Sequence, residues 1–176
     1  VARPYQPSLL RVLHAAMVAL VPLAWLSGLI VYSNHDGRWG RLPWRVPGDW
    51  IDLHGTLGVL LWPLAVVFVL YALSLGRHRL RQPANAAALI GLVLAVGSGK
   101  GMNEEWLREG ALDHTLYSLH LTAWLLIGGA VLWHLQAILR RGGPALALSM
   151  FQLQLRGSDH PAHWPSQVGR WFRRSA

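Results

Sequence analysis

Four apolar stretches without a single charged residue, Val12–Asn34, Leu53–Gly76, Pro83–Gly99 and Thr115–Leu139, alternate with short polar and charged segments along the 176 residues. Each stretch is near or above the ~17–25 residues that a helix needs to cross a bilayer. The pattern therefore predicts an all-α, integral membrane four-helix bundle, with helices at about 9–34, 53–76, 83–100 and 115–140. The third stretch is short and built mostly of Ala, Gly, Leu and Val. Its Ala84, Ala88, Gly91 and Ala95 fall on one side, as expected of a helix that lies close to a neighbour's backbone. Pro22 and Pro63 fall inside the first two stretches, where membrane helices tolerate proline as a kink.

The first stretch exceeds the ~7–15 apolar residues of a signal-peptide core, and no small-x-small cleavage pattern follows it, so it is expected to persist as a helix. Residues 1–142 form one four-helix domain in this reading. Beyond Gly142-Gly143-Pro144, residues 143–176 are too broken to span. Trp164, Trp171 and Phe172 lie there among arginines, as in an interfacial segment, so the tail is expected on the cytoplasmic surface. Neither an internal repeat nor a low-complexity segment is present.

The net charge of +8 is unevenly distributed. The segments on the side of both termini carry Arg3, Arg11, Arg77, Arg79, Arg81, Arg140, Arg141, Arg156, Arg170, Arg173 and Arg174 against one acid, Asp159. The opposite loops carry Arg38, Arg41, Arg45, Lys100 and Arg108 against seven acids: Asp36, Asp49, Asp52, Glu104, Glu105, Glu109 and Asp113. The positive-inside rule then puts both termini on the cytoplasmic side. Because the cations flank membrane spans rather than a soluble recognition fold, nucleic acid is not an expected partner.

The chain has no cysteine, which excludes disulfides, thiolate metal sites, iron–sulfur clusters and covalent c-type haem attachment. Histidine is the remaining strong metal ligand. Of nine histidines, His35, His78, His114, His160 and His163 fall in loops or tail, where they read as solvated or interfacial residues. The other four, His14, His54, His120 and His134, fall inside or at the edge of apolar runs, where an ionisable group is costly and usually functional.

Depth relates them. Successive helices run in opposite directions, so His14, early in the first helix, and His134, late in the fourth, both lie toward the cytoplasmic end. His54 opens the second helix and His120 lies early in the fourth, so both lie toward the outer end. Within HLTAWLLIGGAVLWH the 14-residue separation of His120 and His134 is almost four turns, placing both on nearly one face ~21 Å apart. Two imidazoles from two helices at one depth suit the axial positions of a haem iron, and two such pairs stack two haems across a bilayer. Gly128 and Gly129 lie mid-helix between the histidines of the fourth helix. Gly28 follows His14 by 14 residues, where the first helix would pass the outer haem. Ordinary small-residue packing explains these glycines equally well.

The segments LLRVLHAAMVALVPLAWLSGL, IDLHGTLGVLLWPL and YSLHLTAWLLIGGAVLWHLQAIL resemble the bacterial cytochrome b561 superfamily, which includes the cytochrome b subunits of nickel hydrogenases and formate dehydrogenases. The resemblance covers roughly residues 8–142. It implies two b haems, one held by His14 with His134 and one by His54 with His120, and electron exchange with quinone. The six-helix ascorbate-reducing proteins of similar name arrange their helices differently, so ascorbate chemistry is not carried over. The loop SGKGMNEEWLREGALDH and the tail match no pattern of the family.

Bis-histidine iron has no open coordination position, so the expected role is outer-sphere electron transfer, with quinone and a redox partner protein or larger membrane complex at the two ends. The expected setting is a bacterial cytoplasmic membrane or a thylakoid membrane. Haem propionates call for cationic partners, for which Arg11 and Arg140 are candidates inside and Arg41, Arg45 and Lys100 outside; all five serve equally well as solvated or anchoring charges. A haem-free structural subunit is the principal alternative. A histidine-lined transporter or channel is weakened by the absence of Asp or Glu from all four runs. The GSGKG at 97–101 lacks both the first glycine and the Ser/Thr of a phosphate loop and reads as a helix exit.

Overall fold

The computed structural model describes residues 4–102 and 114–175, with 170–175 described for their backbone alone. Arg3, Glu104, Glu105, Arg108, Glu109 and Asp113 lie outside the described residues, as do the side chains of Arg170, Trp171, Phe172, Arg173 and Arg174. Among the described residues five α-helices form: α1 (Ser8–His35), α2 (Trp50–Leu73), α3 (Pro83–Gly101), α4 (Thr115–Leu148) and α5 (Trp164–Ser175). No strand occurs among the described residues, and α1 to α4 are each long and apolar enough to cross a membrane. The protein is an all-α, multi-pass membrane protein.

Helix ends follow their local chemistry. α2 begins at Trp50, ahead of the expected Leu53, because the Asp49 side chain accepts from the Asp52 backbone N–H at 3.2 Å. Asp52 itself sits in the first turn, where a negative charge suits the helix dipole. Of the two acids expected in the preceding loop, Asp49 is thus the cap and Asp52 part of the helix. α2 also ends at Leu73 rather than Gly76, with the Ser74 hydroxyl donating to the Leu70 carbonyl at 2.5 Å. Pro83 opens α3 from the first helical position, where its missing N–H costs nothing. The GSGKG segment forms the last turns of α3.

The fourth helix runs past residue 140, and its break comes at Gly143, whose φ of 59° and ψ of −159° interrupt the helix just before Pro144. A side chain at Gly143 would be strained by that φ, and proline restricts the residue before it, so Gly-Pro marks the end of the straight segment.

α1 packs on α2, α2 on α3 and α3 most extensively on α4, whereas α1 and α4 touch much less. The α3–α4 approach rests on Gly91, where an added Cβ would come within 3.0 Å of the Ile127 backbone. The central core consists of Met17, Leu61, Ala65, Leu92 and Ile127. Large apolar side chains such as Leu70, Ile90 and Leu132 point outward at 62%, 59% and 70% exposure, a surface that suits lipid and would be costly in water.

Residues 149–164 fold back onto the start of α1. Asp159 accepts from the Tyr5 hydroxyl at 2.5 Å and from the Ser8 backbone N–H at 2.6 Å. The Ser8 hydroxyl donates to the Asp159 carbonyl at 2.7 Å and accepts from Trp164 Nε1 at 2.8 Å. Arg11 donates to the carbonyls of Gln152 and Gln154. The guanidinium of Arg156 lies 4.1 Å from the Tyr5 ring centroid. The tail is therefore a clasp on α1, not merely a surface strand.

Burial alone would raise the Asp159 carboxyl, but the hydrogen bonds from Tyr5 and Ser8 outweigh it and hold the group below its ordinary value of 3.8. A carboxyl depressed in the folded state stabilises the clasp fully above that ordinary value. The contribution is lost as pH falls through the lower, folded value. Proteolysis within residues 149–164 in detergent should thus be slow at neutral pH and accelerate only below about pH 4. Asp159→Asn should remove that pH dependence.

Candidate functional site

The four intramembrane histidines form two pairs. His14 on α1 faces His134 on α4 with ring centroids 6.3 Å apart and planes inclined at 49°. His54 on α2 faces His120 on α4 with centroids 6.0 Å apart and planes at 67°. Both pairs join helices whose backbones stand apart: α1 and α4 touch sparsely, and α2 and α4 less still. The imidazoles reach into the space between them.

The spacing has a chemical meaning. A metal–imidazole nitrogen distance of about 2.0–2.1 Å on each side puts two trans imidazole centroids roughly 6.3 Å apart, since the centroid lies a little over 1 Å behind the nitrogen. The two centroid spacings, 6.3 and 6.0 Å, fall near that value, and edge-to-face contact between rings falls in the same range. Among the described residues no group of three or more metal-ligating side chains exists, so a tetrahedral protein site is not formed.

Three of the rings are held through Nδ1 by neighbours on the adjoining helices. His54 Nδ1 lies 3.0 Å from the Ser27 hydroxyl, which itself donates to the Ala24 carbonyl at 3.0 Å. Where Ser27 donates to Ala24 it accepts from His54, whose proton then sits on Nδ1 and whose lone pair sits on Nε2. The same logic applies to His120, whose Nδ1 lies 3.0 Å from the Ser98 hydroxyl, which donates to the Leu94 carbonyl at 2.6 Å. His134 Nδ1 lies 2.8 Å from Asn85 Oδ1, while the Asn85 amide donates to the Arg79 carbonyl at 2.8 Å. Such outer hydrogen bonds orient a ligating imidazole and raise its basicity. His14 differs: its Nδ1 is buried without a hydrogen-bond partner.

Ser27 and Ser98 are each followed by a glycine, and those glycines seat the rings. A Cβ on Gly28 would lie 3.1 Å from His54 Cε1, and one on Gly99 would lie 3.0 Å from His120 Cε1. The Ser-Gly dipeptide is thus used twice, once on α1 for His54 and once on α3 for His120. Gly28, expected where the first helix would pass the outer haem, lies against the His54 ring and lines the cavity beside it. Sequence reasoning passed over Ser27, Ser98 and Asn85 entirely. The available signal was two Ser-Gly steps inside apolar helices and an Asn in the first turn of α3.

The outer pair opens on a cavity of about 320 Å³, lined largely by apolar and aromatic side chains including Trp25, Trp62 and Trp124, with Gly55 and Gly58 on α2. Trp25 and Trp124 stack with centroids 4.7 Å apart, each indole N–H donating to the other residue's carbonyl at 3.0 Å. This pair ties α1 to α4 at a level between the two histidine pairs. Gly128 admits it: a Cβ there would fall 2.8 Å from Trp25 Nε1. Gly129 faces open space within 4 Å.

Lys100 lines the outer cavity, with Nζ 5.6 Å from the Trp62 ring centroid. Arg41 and Arg45 are exposed in the α1–α2 loop and do not line it. At the other end Arg140 is exposed, whereas Arg11 is buried and turned toward the tail carbonyls rather than toward the histidines. Of the loop and tail histidines, His114 and His160 cap local turns, accepting from Leu116 N–H and Ala162 N–H.

No protein-family model, curated protein or solved structure matches this chain. What the fold and the site define is a class: a four-helix membrane protein with two imidazole pairs at two depths of its interior.

Proposed function

We propose that this chain is a di-haem b-type cytochrome that carries electrons through the membrane. The observation that carries this reading is the pairing of the four imidazoles at 6.3 and 6.0 Å, with three of them held through Nδ1 by Ser27, Ser98 and Asn85. His14 and His134 would hold one iron and His54 and His120 the other. Haem, when bound, supplies a reversible one-electron couple without exposing a coordination position.

The chain's own residues supply the setting. Ser27, Ser98 and Asn85 hold three ligand rings in one tautomer. Gly28 and Gly99 let the outer rings lie against helix backbone. The apolar lining excludes water, which together with ligand basicity tunes the potentials. Trp25 and Trp124 hold α1 and α4 at a fixed separation, and with it the spacing of the two sites. Lys100 provides a cation for a propionate at the outer cavity.

In this reading electrons pass between quinone in the lipid and a redox partner protein or a larger membrane complex. The excess of arginine on the terminal side supports an orientation with both termini cytoplasmic, in a bacterial cytoplasmic or thylakoid membrane.

The decisive experiment is a dithionite-reduced minus oxidised spectrum of the purified protein, with haem per chain counted as the pyridine haemochrome. Two b haems per chain are expected. None after haem-replete expression would leave a haem-free structural subunit and sink the electron-transfer reading.

A further inference from the structure

Among the described residues three buried side-chain polar atoms lack a hydrogen-bond partner: Arg11 Nε, His14 Nδ1 and Arg79 Nε. All three belong to the terminal-side end of the bundle. Arg11 precedes His14 by three residues on α1, so the two share a helix face. Arg79 lies in the short turn between α2 and α3, and its carbonyl is held by the Asn85 side chain that also holds His134. One Arg79 nitrogen, Nη2, donates to Gln6 Oε1 at 2.9 Å.

The chemistry of these atoms agrees. Guanidinium Nε is always a donor, and His14 Nδ1 is a donor whenever Nε2 serves a metal. Buried donors without acceptors are costly, and a cationic donor is best met by an anionic oxygen. Arg11 has both terminal nitrogens on the carbonyls of Gln152 and Gln154, which leaves Arg79 as the cation able to turn toward a ligand.

We infer that Arg79 is an oxyanion seat beside the His14–His134 pair. The inference rests on the di-haem reading for one source of that oxyanion, a haem propionate; the other source with the same chemistry is the phosphate of a lipid headgroup. The seat binds the anion by a charge-assisted hydrogen bond from a guanidinium fixed in a turn rather than from a mobile surface arginine.

The test uses full-length chain carrying His120→Ala, so that only the inner pair can load, reconstituted with haemin or with haemin dimethyl ester, in which both propionates are blocked. If the propionate occupies the seat, Arg79→Gln weakens haemin retention roughly 10-fold or more, Arg79→Lys restores part of it, and neither change affects the dimethyl ester. A His134→Ala chain, loaded only at the outer pair, serves as the control and should be indifferent to Arg79→Gln. If lipid phosphate occupies the seat, haemin and its ester respond alike, and native mass spectrometry of chain in phosphatidylglycerol nanodiscs shows retained lipid that Arg79→Gln releases. That lipid measurement needs no haem, so it still tests the seat if the chain loads none. Unchanged haemin retention together with unchanged lipid retention overturns the proposal.

Discussion

His120→Ala is expected to leave one haem on the chain, the inner one, and His134→Ala to leave only the outer one. The reason is the segregation of ligands. No histidine of one pair lies in the other, and the two ligands on α4 are separated by almost four turns, ~21 Å. In the di-haem reading each substitution would remove one of two ligands from its site and leave the other pair's rings, hydroxyls and glycines untouched. The pyridine haemochrome should fall from two per chain to one in either variant, with far-UV circular dichroism reporting that the helices persist. Because a cofactor that binds only the folded chain stabilises it by mass action, each variant should also melt lower than the parent. Two haems retained in both variants would show that the ligands have been assigned wrongly.

Gly99→Leu should be nearly as damaging to the outer site without touching a ligand. A Cβ at that position already falls 3.0 Å from His120 Cε1, on a ring also held by Ser98, and the rest of a leucine side chain has to displace it. Overpacking of this kind typically costs about 1–3 kcal/mol in a protein interior. Here the displaced atoms belong to the imidazole whose position sets the 6.0 Å spacing. The expected result is loss of the outer haem with the inner one retained. Ser98→Ala provides the graded comparison: the ring keeps its space but loses its Nδ1 acceptor, a change that typically costs 10- to 100-fold in metal affinity. A Gly99→Leu chain that keeps two haems at parental affinity would mean that the seat does not position the ligand.

The helices and the depth of the four histidines were legible because they depend on local quantities. An uncharged run measures its own length, and alternating chain direction converts sequence position into depth. What escaped was azimuth, the direction around each helix in which a residue points. Gly28 was placed at the right level, yet whether its bare backbone meets a cofactor or the His54 ring depends on how α1 is rotated against α2. Ser27 and Ser98 looked like unremarkable small residues for the same reason. Asn85 and Arg79 sit at a helix junction where polar residues ordinarily meet water, and only the packing of α3 on α4 brings Asn85 to His134. Asp49 and Asp52 were read as loop charges because acids weigh against a membrane span, whereas one caps α2 and the other occupies its first turn. The clasp was hidden by distance along the chain: nothing local in Tyr5 or Ser8 announces Asp159.

That clasp sets an order of events during synthesis. Ser8 and Arg11 find their partners 141 to 156 residues further along the chain. At a translation rate of about 5–20 residues per second, roughly 7–30 s separate the emergence of the two halves. Through that interval the Arg11 guanidinium must be met by water or headgroups, and it is drawn into the protein only when residues 152–154 arrive. The first helix made is therefore the last to be finished at its end, and damage to the tail should be felt first at residues 5–11, beside His14, at the opposite terminus of the sequence.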